Sequence, residues 1–297
     1  MLPNRFRYSN LKLILVVLTI TLGLISGTSC AVSSLAREEL LPETENYTDG
    51  QSPIYTGRYA PPVVPPDEEV VVVTYNLRFG EEIEAAAAAF AETTPLNEAD
   101  ILLLQEMDET GTADLARRLG FNYVYYPASV APDGDNFGNA ILSRWPLSDP
   151  QKLILPGLHP LTRQQRTATR ATVRVGDRDI LVYAAHLEVA TAPPSLRADQ
   201  VKALLADIPN DAPHVIVGGD FNTVTGLGVT GLSDQFEEAY LDHHSDGLGP
   251  TFTRFGLRPS ATDHIFSRGF RQKDAGVLAV VAASDHFPVW ARLVADP

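Results

Sequence analysis

The chain has a single cysteine, Cys30. One cysteine cannot form an internal disulfide, so a fold stapled by cross-links is excluded. A structural zinc site built on a cysteine cluster is excluded with it. Basic residues are outnumbered: 23 Lys and Arg stand against 37 Asp and Glu, for a formal charge of −14. That balance argues against a general nucleic-acid coat protein, which needs a basic face. There is no internal repeat. The one long apolar run, from Leu13 to Ile25, is short for a membrane-spanning helix. What is present is ordinary for a soluble chain: 297 residues with 44% apolar and 20% charged content, enough for a sizeable core.

The apolar run reads as part of an export signal. Arg5, Arg7 and Lys12 precede it, and the small residues Ser26, Gly27, Thr28 and Ser29 follow. Residues 1–29 are therefore expected to be a signal peptide. Cys30 stands where a bacterial lipoprotein cysteine would, although Gly27 replaces the leucine usual in that motif. Lipid attachment at Cys30, simple cleavage and an uncleaved anchor all stay open. Residues 1–29 carry three bases and no acids, so cleavage before Cys30 takes the charge from −14 to −17. The expected destination is the cell envelope or the extracellular medium. Residues 30–67 hold Pro42, Pro53, Pro61, Pro62, Pro65 and Pro66 among polar residues without apolar periodicity, the composition of a tether. Residues 68–297 are expected to form one domain, most simply as a monomer.

Within that domain, β-rich runs alternate with helical ones. Val70–Tyr75, Ile101–Leu104, Asn122–Tyr126, Ala140–Ser143, Thr167–Val175, Ile180–His186 and Val215–Val217 read as strands. So do Asp263–Ser267, Val277–Val281 and His286–Leu293. Glu81–Glu92 and Thr112–Leu119 read as helices, the second stopped by Gly120, and Ser195 as the N-cap of a third running to Asp207. Gly176-Asp177 suits a hairpin turn, and Gly218-Gly219 is expected to break the strand before Asp220. The pattern implies an α+β fold: a four-layered α/β/β/α sandwich, with two mixed β-sheets face to face and helices outside.

Polar residues gather at strand ends: Asn76, Glu106, His186, Asp220, Asn222, Asp263, Asp285 and His286. Singly, each has a plain reading as a turn, helix-entry or packing residue. Asp220 and Asn222, two apart on extended backbone, would project together. As a set, these acids, histidines and asparagines would make a hard-cation site with acid–base groups beside it. Arg166, Arg170 and Arg174 could share one strand face, either solvated or turned to substrate. His264 is either a packing residue or a substrate contact. His159, His214, His243 and His244 have no motif around them and are expected at the surface. Phe252, Phe255 and Leu257 are the one short candidate for an apolar membrane-contact hairpin.

The order of the motifs is specific. Thr74–Arg78, Leu104–Glu106, Gly138–Ser143, Ala185–Leu187, Gly219–Asn222, Thr262–Ile265 and Ser284–Val289 together resemble the endonuclease/exonuclease/phosphatase superfamily, with its deoxyribonuclease-I-like fold. The resemblance implies a hydrolase acting on phosphate esters with Mg²⁺ or Mn²⁺. It implies Glu106 as the principal metal ligand, supported by Asn76, with Asp285 as a further metal-site carboxylate. It implies Asp220 and Asn222 orienting the phosphate and the attacking water. It implies His286 as base or electrostatic stabiliser oriented by Asp263, and His186 as a second catalytic histidine. Asn139, Arg166 and Arg170 are expected substrate contacts. A DNA or related phosphodiester is the expected substrate. The alternatives are a phospholipid of the sphingomyelin or phosphoinositide kind, or a surface-binding protein without activity.

Overall fold

Runs of β-branched residues dominate the folding of this chain. In the computed structural model, residues 44–62, 69–131, 133–224, 226–254 and 257–296 are described. The elements in order are strand β1 (Tyr55–Gly57), β2 (Glu69–Asn76), helix α1 (Ile83–Glu92), β3 (Ile101–Met107), α2 (Glu109–Leu119), β4 (Asn122–Val130), β5 (Asn136–Ser143), β6 (Leu147–Leu158), β7 (Gln165–Val175) and β8 (Arg178–His186). There follow α3 (Pro194–Asp207), β9 (Val215–Asp220), α4 (Gly226–Glu238), β10 (Asp242–His243), β11 (Phe252–Arg254), β12 (Leu257–Ser260), β13 (Asp263–Arg268), β14 (Phe270–Val277) and β15 (Val289–Ala295).

The strands form a seven-stranded sheet of order β1-β4-β5-β3-β2-β15-β14 and a six-stranded sheet of order β10-β13-β9-β8-β7-β6. Both are mixed. The first has one parallel pair, β2–β3, and the second has one, β8–β9. Alternation sorts each strand's side chains between two faces. Val72, Leu103, Ile141, Val182, Ile216 and Ile265 meet between the sheets. Tyr75, Leu104 and Leu142 face α1 and α2. Tyr183, Val217 and Phe266 turn to the other outer face, with Val201 and Leu204 of α3 and Leu232 and Phe236 of α4. This is the expected four-layered sandwich. Each fully buried aliphatic side chain in it contributes about 1.5–3 kcal/mol.

Several local expectations shift. Residues 44–57 belong to the fold, not to a tether: the Tyr47 N–H donates to the Ala128 carbonyl, Asn46 bridges Ser129, and β1 pairs antiparallel with β4. Lys152 secures this strap by donating to the carbonyls of Ser52 and Pro127. The expected signal peptide and Cys30 lie outside the described residues. The glycine pair does not break the central strand, and β9 runs through Gly218 and Gly219 to Asp220. Helix α3 starts at Pro194 with Pro193 as its cap, so Ser195 is inside it. The fixed φ of proline suits that first turn. The strand expected over Val277–Val281 is instead Phe270–Val277, an edge strand with a largely exposed middle, which explains its polar sequence.

Candidate active site

The inter-sheet faces end in polar residues. Asn76 follows Val72 and Thr74 along β2, His186 follows Val182 and Ala184 along β8, and Asp220 follows Ile216 and Gly218 along β9. The parallel pairs then bring the ends together: Asn76 is in register with Gln105, and His186 with Asp220. The antiparallel β13 sets Asp263 beside Asp220. Two glycines permit this closeness. A Cβ at Gly219 would lie 1.9 Å from the Ala185 carbonyl oxygen, and one at Gly218 would lie 2.6 Å from Leu103 Cδ1 in the other sheet.

Glu106 needs a further device. By simple alternation it would follow Leu104 toward the outer helices. Instead the β3–β5 register slips between Leu104 and Met107, and Glu106 takes φ +56°. Such a bulge re-aims a side chain. The carboxylate thereby reaches Asn76, whose Nδ2 donates to Glu106 Oε1 at 3.2 Å and to Asp220 Oδ2 at 3.1 Å. Asn76 is itself held, accepting at Oδ1 from the Arg78 N–H.

Two histidines flank Asp220. His286 Nε2 is 3.7 Å and His186 Nε2 3.6 Å from Asp220 Oδ2. His286 Nδ1 is bonded to Asp263 Oδ2 at 2.8 Å, which also accepts from the hydroxyls of Thr251 and Thr262 at 2.6 and 2.8 Å. These surroundings split the histidines. Burial disfavours the His286 cation, but Asp263 and Asp220 outweigh it and raise the pKa to about 10. Burial, Arg166 and His286 hold His186 well below the ordinary histidine range. The two histidines therefore differ: at neutral pH His286 is a cation and His186 is neutral. Asp220 moves the other way. Burial, then the charge of Asp263, push it up to about 7 against His286, Asn222 and Asn76. Burial also raises Glu106.

Asn222 is not on extended backbone. At φ +51° its N–H donates to Asp220 Oδ1 and its Nδ2 to the Leu187 carbonyl, so it braces Asp220 from a turn. Arg166 is in the site, with Nη1 3.3 Å from both ring nitrogens of His186 and Nη2 3.5 Å from Glu188. Arg170 is not: it pairs with Asp207 of α3 at 3.0 Å, while Arg174 pairs with Asp179. Asn139 Nδ2 is spent on Thr167, and its buried Oδ1 has no partner. Asp285 lies near enough to raise Glu106, and its Oδ1 accepts from Ser284.

Among the described residues, the acid and histidine donor atoms that gather within 4.8 Å of one another are those of Asp220, Asp263 and His286, a group that leaves out Glu106 and Asp285. In that trio, however, Asp263 Oδ2 and His286 Nδ1 are already joined, and Asp263 is sealed from solvent. Glu106 instead keeps 18% of its side chain open. Oxygen donors of this kind suit a hard divalent ion.

Four contributors escaped the sequence. Glu188 anchors Arg166, and Thr251 anchors Asp263. Phe137 packs on His186 with ring centroids 5.8 Å apart, and Phe252 on His286 at 4.7 Å. Phe252 is thus a wall of the site rather than the tip of a membrane hairpin. The side chains of residues 255 and 257 lie outside the described residues. His243 and His244 are not surface residues. His243 Nε2 is 3.1 Å from His264 Nδ1, and buried His244 bonds Ser267 and Gln272. His264 is a packing residue on the outer face of β13, beside Phe221 and Thr223.

Known proteins share this fold. Residues 73–286 match the model of the Endonuclease/Exonuclease/phosphatase family. No curated protein matches the chain. Among solved structures, an endonuclease/exonuclease/phosphatase from Beutenbergia cavernae superposes with a TM-score of 0.62 at 21% identity, covering 77% of this chain and 72% of that one. A mannosyl-6-phosphatase from Bacteroides thetaiotaomicron gives 0.60 at 21% identity, over 76% and 99%. The human Nocturnin catalytic domain with bound sulfate gives 0.59 at 19% identity, over 78% and 96%. With the motifs in order, the sandwich in place and the match spanning most of the chain, this protein belongs to the endonuclease/exonuclease/phosphatase family.

Proposed function

We propose that this family phosphoesterase is a Mg²⁺- or Mn²⁺-dependent phosphodiesterase that cleaves DNA or a related diester by in-line attack of water. The observation that carries the reading is Asp220, at a pKa of about 7, set between a cationic and a neutral histidine and sharing Asn76 with Glu106. Glu106, with Asn76 and Asp285 beside it, would hold the ion. The bound ion would polarise a phosphoryl oxygen and offset its developing charge.

The side chains divide the remaining work. Asp220 can exchange a proton at neutral pH, and Asn222 fixes its orientation. It takes the proton of the attacking water as the new P–O bond forms. The ester P–O bond breaks, and the leaving oxygen is protonated from solvent. His286 stays an imidazolium through this step and stabilises the phosphoryl oxygens, with Asp263 fixing its tautomer. Arg166 adds a second fixed cation, held by Glu188.

The same proposal places the enzyme outside the cytoplasm, exported by residues 1–29 and attached through a lipid on Cys30. The charge pattern and small residues of that segment support it.

The test is a hydrolysis panel of single- and double-stranded DNA, RNA, sphingomyelin, a phosphoinositide and a sugar phosphomonoester, with Mg²⁺ and with chelator. Diester cleavage that stops with chelator is expected. Cleavage of the monoester alone would overturn the diester reading.

A further inference from the structure

The turn after β2 holds a phenyl ring out in water beside the site. Phe79 is 44% exposed. It lies three residues beyond Asn76, in a turn where Arg78, Phe79 and Gly80 take φ of +45°, +57° and +62°. Glycine accepts that backbone freely, but a bulky residue rarely does. The chain therefore adopts a disfavoured conformation and leaves an apolar side chain exposed, a combination that marks functional positions. Only charged or small residues adjoin it in the turn: Arg78, Gly80, Glu81 and Glu82. It is a single ring and not part of an apolar patch in its loop, which argues against a lipid surface as its partner.

The ring is connected to the chemistry. Phe79 packs on Phe137 with centroids 5.3 Å apart, tilted by 45°. Phe137 packs in turn on His186, and the Arg166 guanidinium lies 5.7 Å from the Phe137 centroid. Three rings thus lead from His186, beside Asp220, to the surface. Aromatic rings prefer offset or tilted neighbours at about 4.5–7 Å, and these spacings leave a planar ligand a natural next place in the series.

We infer that Phe79 is a specificity residue that stacks a nucleobase flanking the scissile phosphate, so that the substrates of this enzyme are nucleotides or nucleic acid strands. The inference rests on the phosphoesterase reading of the site. Stacking of a base on an aromatic side chain is tolerant of sequence, because every base has a π-face. The enzyme should therefore distinguish nucleotides from other phosphate esters while discriminating weakly among the bases.

The experiment separates base recognition from catalysis. Binding of adenosine 5′-monophosphate and of ribose 5-phosphate, which differ only in the base, is measured by calorimetry on the full chain with Mg²⁺ and with chelator. Wild type is compared with Phe79→Ala, Phe79→Leu and Phe79→Trp. Wild type and Phe79→Trp should bind the nucleotide about five- to a hundredfold more tightly than the sugar phosphate. Phe79→Ala and Phe79→Leu should lose most of that difference and leave sugar phosphate binding unchanged. Turnover of a dinucleotide should show the same loss in KM with kcat within about twofold. Equal binding of the two ligands by wild type would overturn the inference, and so would Phe79→Leu retaining the full preference. Base-dependent binding without diester hydrolysis would uphold it while overturning the phosphodiesterase reading.

Discussion

Replacing His264 with glutamine should make the protein markedly less sensitive to acid. His264 is 1% exposed on the outer face of β13, bonded to His243 and Thr223. Burial, then His243, lower its pKa to about 3, with Asp263 opposing. An unfolded histidine titrates near 6.5. Between these values the unfolded chain binds the proton and the folded one does not, so stability falls as pH drops below about 6.5. At pH 5 the unfolded chain gains about 1.5 pK units of proton binding, or about 2 kcal/mol at about 1.36 kcal/mol per unit. Glutamine can keep the bonds to Thr223 and His243 but does not titrate. Urea unfolding at pH 7 and pH 5 should show wild type losing about 2 kcal/mol more than His264→Gln. Asp220 and the titrating groups that do not touch His264 are common to both proteins and cancel in that difference. Identical pH dependence would refute the reasoning.

Glu106→Gln should lose most of its metal response while keeping its fold, because removing the charge weakens binding of a hard ion. Titration of Mn²⁺ followed by melting and activity checks this, and equal metal dependence in both proteins contradicts it. Gly219→Ala would set a Cβ 1.9 Å from the Ala185 carbonyl oxygen, so main chain must move. A stability loss of about 1–3 kcal/mol or more is expected, read as a Tm lowered by several degrees. Cys30→Ser should shift the protein from membrane to soluble fractions, and intact mass should show wild type starting at Cys30. A wild-type chain starting at Met1 in both fractions would refute export by cleavage.

The strands were legible where composition was extreme. Val70–Tyr75 and Ile101–Leu104 are apolar on both faces because helices cover one and the second sheet the other. That Asn76, Glu106, His186, Asp220, Asp263 and His286 gather was legible too, since the topology brings their strand ends and turns together. The geometry was not. Nothing local to Leu104-Gln105-Glu106 announces the bulge that turns Glu106 inward, since the bulge is set by pairing with β5. Glu188 and Asp207, which decide that Arg166 faces the site and Arg170 does not, lie 22 and 37 residues away from their partners. Residues 44–57 look like a tether because their proline and polar content hides pairing with a distant strand, β4. His243 and His264 read as isolated polar residues until folding joins them, 21 positions apart.

The central claim is that His286, held cationic by Asp263, stabilises a phosphate ester during its hydrolysis. Steady-state turnover of a bis-aryl phosphodiester at saturating Mg²⁺ tests it most directly, with folding checked by circular dichroism. His286→Ala should lower kcat at least about a hundredfold. His214→Ala is the control, because His214 sits just before β9, at the end of that strand remote from Asp220, and packs on Phe270. It should turn over as wild type does. A folded His286→Ala enzyme with turnover near wild type would contradict the account.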